Sequence, residues 1–147
     1  MSPNAWRTVV DITLNGTYFC SREFGRRHLA AGTPGSIVNI GAVVGFRGFP
    51  GDSPYGASKA GLAGLTQVLA VELAKRQIRV NLVIPGLVVT EMTSGLSERA
   101  MQALISKISL HRVGTDVEVA EVICWVARST YMTGAVVPTD GGLMCAF

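Results

Sequence analysis

Tyr55 and Lys59 are the residues of this sequence whose types and spacing could carry out chemistry. They lie four residues apart at the start of an apolar, helix-compatible run, so on a helix their side chains share one face. A lysine cation beside a tyrosine favours the phenolate, so we expect Lys59 to lower the pKa of Tyr55 until it can exchange a proton with a carbonyl or an alcohol. That chemistry belongs to a reductase or dehydrogenase, but an exposed Tyr and Lys at this spacing are common, so the surroundings must decide.

The surroundings read as alternating helices and strands. Helical spacing predicts a helix over residues 6–31, ended by the cluster Gly32-Thr33-Pro34-Gly35. The near-continuous apolar run between residues 37 and 44 predicts a strand that is buried on both faces of a parallel sheet, and residues 45–52 read as a loop. The further predicted elements are a helix over 55–75, a strand over 78–84, helices over 98–107 and 117–128, and a strand over 135–138.

Five short motifs follow one another along the chain. They are Ser36-Ile37-Val38-Asn39-Ile40, Pro54-Tyr55-Gly56-Ala57-Ser58-Lys59-Ala60-Gly61-Leu62, Ile78-Arg79-Val80-Asn81, Pro85-Gly86 and Thr139-Asp140-Gly141-Gly142. In this order and spacing they resemble the short-chain dehydrogenase/reductase family, and within it members similar to 3-oxoacyl-acyl-carrier-protein reductases. Each motif is weak alone, but the set is specific, and it covers the second half of the family pattern.

The resemblance implies an α/β fold, namely the C-terminal half of a Rossmann-like, doubly wound parallel sheet with three strands and helices. Residues 1–147 then form a single partial domain that lacks the family's N-terminal nucleotide-binding half. We find no glycine-rich turn opening a helix, and Gly41-Ala42-Val43-Val44-Gly45 lacks the third glycine and the helix. The strand at residues 37–40 would therefore have an unpaired apolar edge, and we expect an isolated chain that is marginally stable, oligomeric or prone to aggregation.

The resemblance also assigns roles to single residues. Tyr55 would donate and accept the proton, and Lys59 would lower its pKa and bind the ribose of the nicotinamide. The family serine that polarises the carbonyl is Ala42 here, a loss that typically costs a hundred- to a thousandfold in rate, or about 3–4 kcal/mol. The family asparagine is Thr13 here. Asn15 is a weak substitute, because two residues turn a helix by about 200 degrees, unless the helix is kinked or bulged.

The segment that follows the second strand resembles the family loop that meets the nicotinamide. Pro85 and Gly86 would shape this loop, and Val88 through its backbone and Thr90 through its hydroxyl would contact the cofactor. A plain strand-ending turn is the alternative. Residues 93–103 would form the mobile segment that covers the substrate, with Ser97 and Glu98 beginning a helix there.

Composition and spacing argue against several other classes. The 147 residues are 48% hydrophobic with a net charge of +3, and the scattered basic residues favour solvated surfaces over a nucleic-acid patch. The sequence contains neither a membrane-length apolar run nor a signal-peptide pattern, so we expect a soluble, cytoplasmic protein. Three distant cysteines and two isolated histidines give no metal site.

Two functional hypotheses remain open. The first is an oxidoreductase that depends on NAD or NADP and acts on a small carbonyl or alcohol, impaired by Ala42, by Thr13 and by the missing half. The second is a non-catalytic, truncated relic or interaction subunit that pairs with a full-length relative. The resemblance implies a homo-oligomer, formed through the helices at residues 6–31 and 55–75 or through the C-terminal strand, and this is compatible with both hypotheses. We expect the isolated 147 residues to be inactive, and the sequence leaves open whether Met1 is the true start.

Overall fold

The computed structural model describes residues 1–91, 93, 95 and 97–145. Helices and strands alternate along the chain, as the sequence predicts. The helices are α1 (Pro3–Val10), α2 (Gly16–Ala31), α3 (Ser53–Ala74), α4 (Glu98–Ile105) and α5 (Asp116–Arg128), and the strands are β1 (Gly35–Ile40), β2 (Ile78–Pro85) and β3 (Val136–Thr139). Most bounds differ from the predicted ones by one to three residues.

The three strands form one parallel sheet in the order β1, β2, β3. The register places Ile40 opposite Val83 and Pro85 opposite Thr139, so the carboxyl ends of all three strands meet at one edge of the sheet. This confirms the predicted α/β class with three parallel strands.

The core lies between β2 and α3. Val80, Leu82 and Ile84 alternate along β2 and are fully buried, which places them on one face of the sheet. Leu82 and Ile84 pack with Leu62 of α3, and Val80 packs with Leu69 further along the same helix. Burying a side chain of this size contributes about 2 kcal/mol, so this contact fixes α3, and with it the Tyr–Lys pair, against the sheet.

Two side chains of β2 hold the segment that leads into β3. The Arg79 guanidinium donates to the carbonyls of Ala127 (2.7 Å) and Ser129 (2.6 Å) at the end of α5. The buried Asn81 donates to the Met132 carbonyl at 2.9 Å and accepts from the Ala135 amide at 3.1 Å. The Ile-Arg-Val-Asn motif is thus a structural anchor for residues 127–135.

The first predicted helix begins earlier than expected and contains a π-helical turn. Ser2 caps α1 by accepting a hydrogen bond from Ala5, and a proline follows the cap, which explains the early start. Asp11–Asn15 then forms a π-helical turn between α1 and α2. Residues 6–31 are therefore helical throughout, as predicted, but one turn holds an extra residue.

The predicted strand through residue 44 ends early. The Gly41 amide makes a last ladder bond to the Val83 carbonyl, and Val43–Gly45 then turns as a short 3₁₀ helix. Val43 is buried in the core, so its apolar character reflects burial in a turn and not a place in the strand.

The outer edge of β1 carries no strand within the described part of the chain. Ile40 is 37% exposed, and the buried Ser36 hydroxyl has no hydrogen-bond partner. A groove of about 610 Å³ runs along this edge beside α2 and reaches Lys59. The sequence predicts this unpaired edge.

Candidate active site

The amino end of α3 carries the Tyr–Lys pair to the carboxyl edge of the sheet. The helix begins at Ser53, and Pro54 in its first turn suits a position whose N–H has no partner within the helix. The Ser58 hydroxyl donates to the Pro54 carbonyl at 2.7 Å. Tyr55 and Lys59 then lie one turn apart on the same face, as their spacing predicts.

Lys59 ties this helix to the end of β1. Its Nζ atom donates to the Ile40 carbonyl at 2.7 Å and lies 5.4 Å from the centroid of the Tyr55 ring. Both side chains are half-buried. The ammonium is therefore fixed beside the aromatic ring, and its position is set by a backbone carbonyl at the carboxyl edge.

The expected decrease in the pKa of Tyr55 is wrong for this chain. Burial raises the pKa of Tyr55 above its usual value, and the nearby Asp52 carboxylate raises it further. Burial also lowers the pKa of Lys59, since removing water disfavours the ammonium. At neutral pH, Tyr55 is a neutral phenol that can donate a proton.

Ala42 lies where β1 turns toward α3. Its backbone is extended, and its carbonyl accepts from the Gly45 amide at 3.0 Å. A Cβ atom on Gly45 would lie 2.7 Å from the Ala60 amide nitrogen, and one on Gly56 would lie 3.2 Å from the Val44 carbonyl oxygen. Glycines therefore let the turn pack directly against the helix that carries Tyr55.

Thr13 and Asn15 both fall in the π-helical turn. The bulge that Asn15 would need is thus present, but the Asn15 amide donates to the Asp11 carboxylate at 2.8 Å. The Thr13 carbonyl accepts from the Thr17 hydroxyl at 2.7 Å. Leu14, between them, packs against α3 at Gly61, where a Cβ atom would lie 3.1 Å from Leu14 Cδ2.

The loop after β2 is held by a hydrogen bond to β3 and by hydrogen bonds within the loop. The Gly86 amide donates to the Thr139 carbonyl at the end of β3, and a Cβ atom on Gly86 would lie 2.6 Å from Asp140 Cα. The Thr93 hydroxyl donates to the Val88 carbonyl at 3.0 Å and accepts from the Thr90 amide at 2.8 Å. Pro85, at the end of β2, starts this loop.

The start of the following helix agrees with the sequence. Ser97 caps α4 by accepting from the Ala100 amide at 3.3 Å, and the helix begins at Glu98. Within the predicted covering segment 93–103, Ser94 and Leu96 lie outside the described residues.

Two contributors to the site were missed by the sequence analysis. Asp52, three residues before Tyr55, raises its pKa, and the spacing of a carboxylate one helical turn away could have indicated this. The Ile40 carbonyl that holds Lys59 gives no sequence signal, because any residue type supplies a carbonyl.

Two other kinds of site were also sought. Among the described residues, no group of three or more His, Cys, Asp or Glu side chains is placed to bind a metal ion. No helix in the described part of the chain combines the length and the apolar character needed to cross a membrane.

Open α/β sheets bind ligands at their carboxyl edge. Lys59 is held there at the end of β1 and the loop after Pro85 begins there at the end of β2, so these are the residues that could hold the nicotinamide end of a dinucleotide. The described helices include none that begins at a glycine-rich turn of the kind that receives a pyrophosphate. The fit is therefore limited to one end of the cofactor.

Comparisons with known sequences match this chain to one family. The family model described as enoyl-(acyl carrier protein) reductase matches residues 1–144. The 3-oxoacyl-acyl-carrier-protein reductase FabG of Thermotoga maritima is 42% identical over 146 residues, covering 98% of this chain and 59% of that protein. Carbonyl reductase family member 4 of Danio rerio is 46% identical over 136 residues, covering 92% of this chain and 55% of that protein.

Solved structures match the fold over almost the whole chain. A 4-hydroxyisoleucine dehydrogenase complexed with NADH superposes with a TM-score of 0.95 at 33% identity, covering 99% of this chain and 62% of that one. A short chain dehydrogenase from Bacillus anthracis superposes with a TM-score of 0.89 at 35% identity, covering 97% of this chain and 58% of that one. The chain thus spans about three fifths of the length of the relatives it matches.

Proposed function

Because this chain belongs to the short-chain dehydrogenase/reductase family, we propose that it is the catalytic half of an oxidoreductase that interconverts a carbonyl compound and a secondary alcohol. The observation that carries the proposal is the Tyr55–Lys59 pair, held at the carboxyl edge of the sheet by the bond from Lys59 to the Ile40 carbonyl. The family membership supports the reaction class, and the geometry of the pair supports Tyr55 as the proton donor.

In this proposal Tyr55 donates its phenolic proton to the carbonyl oxygen during reduction. NADH or NADPH, when bound, supplies the hydride, so the carbonyl gains a hydride on carbon and a proton on oxygen, and the nicotinamide is oxidised. The raised pKa of Tyr55 keeps the proton on the phenol until an oxyanion develops beside it. Lys59 stabilises the resulting phenolate through its charge.

Lys59 and the loop from Pro85 to Thr90 would hold the nicotinamide end. Lys59 would bind the ribose, while the Val88 backbone and the Thr90 hydroxyl would contact the nicotinamide. Since the residues that distinguish NAD from NADP belong to the nucleotide-binding half of the family, the proposal covers both cofactors.

Two substitutions lower the activity that this site can reach. Ala42 offers no hydroxyl to the developing oxyanion, and Thr13 replaces the usual asparagine. An Ala42→Ser variant should therefore raise the rate by about a hundredfold or more.

A second function, pairing with another chain of the family, has its own support. The unpaired edge of β1 lines a groove together with the apolar side chain of Ile12, which is 73% exposed. Apolar side chains around an open strand edge favour association. Size-exclusion chromatography of the chain, alone and mixed with a full-length relative, tests this pairing. A compact monomer that does not co-elute with the relative would contradict it.

The oxidoreductase proposal is tested in a chimera. The part of the Thermotoga maritima relative that this chain does not match would be joined ahead of residue 1, and oxidation of NADH or NADPH by a ketone and by a 3-oxoacyl thioester would be followed by absorbance. We expect turnover that falls by at least about a hundredfold in Tyr55→Phe. The matched control is Tyr131→Phe, because Tyr131 is fully exposed and should leave the rate unchanged.

Two results would contradict the proposal. Equal rates for the Tyr55→Phe chimera and the unsubstituted chimera would remove Tyr55 from the chemistry. A folded chimera that binds cofactor but reduces neither substrate would favour the pairing function instead.

A further inference from the structure

A second cavity, of about 440 Å³, opens beside the turn that follows β1. Two core side chains, Val43 and Leu143, form its floor. Its walls carry two aromatic rings and two cations, contributed by Phe46, Phe49, Arg47 and Lys107. This volume suits a small organic molecule.

The two cations of this cavity have no carboxylate partner among its described lining residues. Arg47 is fixed by one bond, from Nη1 to the Leu143 carbonyl at 2.8 Å. Its Nε and Nη2 groups can still donate to a ligand. Lys107 Nζ lies 5.6 Å from the centroid of the Phe49 ring. Two like charges in one cavity favour an anion between them, and a guanidinium fork matches a carboxylate.

The cavity lies beside the turn that separates it from the helix of the candidate active site. Val43 directly follows Ala42, and the turn that they begin packs against α3 at Lys59 and Ala60 through Gly45. A ligand in the cavity therefore lies on the other side of a single turn of chain from the helix that carries the proton donor.

We propose that this cavity is a binding site for a small organic carboxylate, separate from Tyr55 and Lys59, which are not among the residues that line it. Arg47 and Lys107 bind the carboxylate, and Phe46 and Phe49 contact the hydrocarbon part. The inference goes beyond the proposed function, because it assigns a second ligand site that the proposed reaction does not use.

Binding to the whole chain, without cofactor, tests the inference directly. The probes are 3-benzoylpropionate and its methyl ester, which share a ketone and a phenyl ring but differ in charge. Calorimetric titration should give an affinity for the acid about tenfold or more above that for the ester. Arg47→Gln and Lys107→Gln should each weaken acid binding by about tenfold and leave ester binding unchanged.

The control removes one positive charge elsewhere. Lys75 is exposed at the end of α3, so Lys75→Gln should leave acid binding unchanged. Lys107 is also exposed, so its substitution should not disturb folding, which circular dichroism would check for every variant. Absence of acid binding, equal binding of acid and ester, or an equal loss in Lys75→Gln would overturn the inference.

Turnover separates this inference from the proposed function. Acid binding that depends on Arg47 and Lys107, together with a chimera in which Tyr55→Phe changes nothing, would support the inference and refute the proposed chemistry. Tyr55-dependent reduction of the ester at the rate of the acid, without any preference in binding, would refute the inference alone.

Discussion

Gly45→Ala should separate the turn that carries Ala42 from the helix that carries Tyr55. The new Cβ atom would lie 2.7 Å from the Ala60 nitrogen and 2.8 Å from the Lys59 carbonyl carbon. Ordinary contact begins near 3.4 Å, so two backbone segments must move apart by about 0.7 Å. Neither contact is with a flexible side chain, so neither can be relieved by a rotamer change.

The cost follows from overpacking. Forcing extra volume into a packed site costs about 1–3 kcal/mol, and the lower chain entropy of unfolded alanine offsets about 0.4–1 kcal/mol of it. We expect a net loss of about 1–2 kcal/mol in the free energy of unfolding. With a urea dependence near 2 kcal/mol per molar, the unfolding midpoint should fall by about 0.5–1 M.

Gly48→Ala is the matched control in the same loop. No atom lies within 4 Å of a Cβ built on Gly48, and its backbone is outside the left-handed region. Its midpoint should stay the same or rise slightly. The reasoning is refuted if the two variants unfold at the same urea concentration.

Three further predictions concern the anchor, the helix start and the proton donor. Asn81→Leu should lower the free energy of unfolding by about 3 kcal/mol in urea titration, because two buried backbone groups lose their partner; a loss below about 1 kcal/mol would contradict the anchor. Hydrogen bonds from Arg112 hold the pKa of Glu118 at about 2, against an ordinary 4.5. The stability that Glu118 contributes is thus present above pH 4.5 and lost as the pH falls toward 2. In Glu118→Gln the free energy of unfolding should therefore depend less steeply on pH in that window. An unchanged slope would argue against the Arg112–Glu118 ion pair. Asp52→Asn should lower the pKa of Tyr55, while burial keeps it above its usual value. The pKa is read from the phenolate absorbance as a function of pH, after the absorbance of a Tyr55→Phe variant has been subtracted. An unchanged pKa would exclude the Asp52 carboxylate as a cause.

Much of the architecture could be predicted from the sequence. The apolar run that became β2 is buried along nearly its whole length, and such a run is typical of a strand covered on both faces. The apolar, helix-compatible run predicted the helix, and the spacing of Tyr55 and Lys59 placed their side chains on one face of it.

Other features could not be predicted, for identifiable reasons. The π-helical turn at Asp11–Asn15 adds one residue to the helix. This changes the spacing of the apolar residues too little to be recognised in the sequence. Val43 is apolar because it fills the core, and hydrophobicity reports burial without reporting backbone conformation. The direction of the pKa shift of Tyr55 depends on how deeply the ring packs. The cavity between Arg47 and Lys107 joins residues sixty positions apart.

The most direct test of the central claim uses reduced nicotinamide cofactor that carries deuterium at the position from which hydride is transferred. The chimera reduces a ketone with this cofactor, and the mass of the alcohol product is measured. Hydride transfer with Tyr55 as the proton donor predicts one deuterium on the former carbonyl carbon, with product formation nearly lost in Tyr55→Phe. An alcohol without deuterium, or a deuterated alcohol formed equally fast by Tyr55→Phe, would contradict the account.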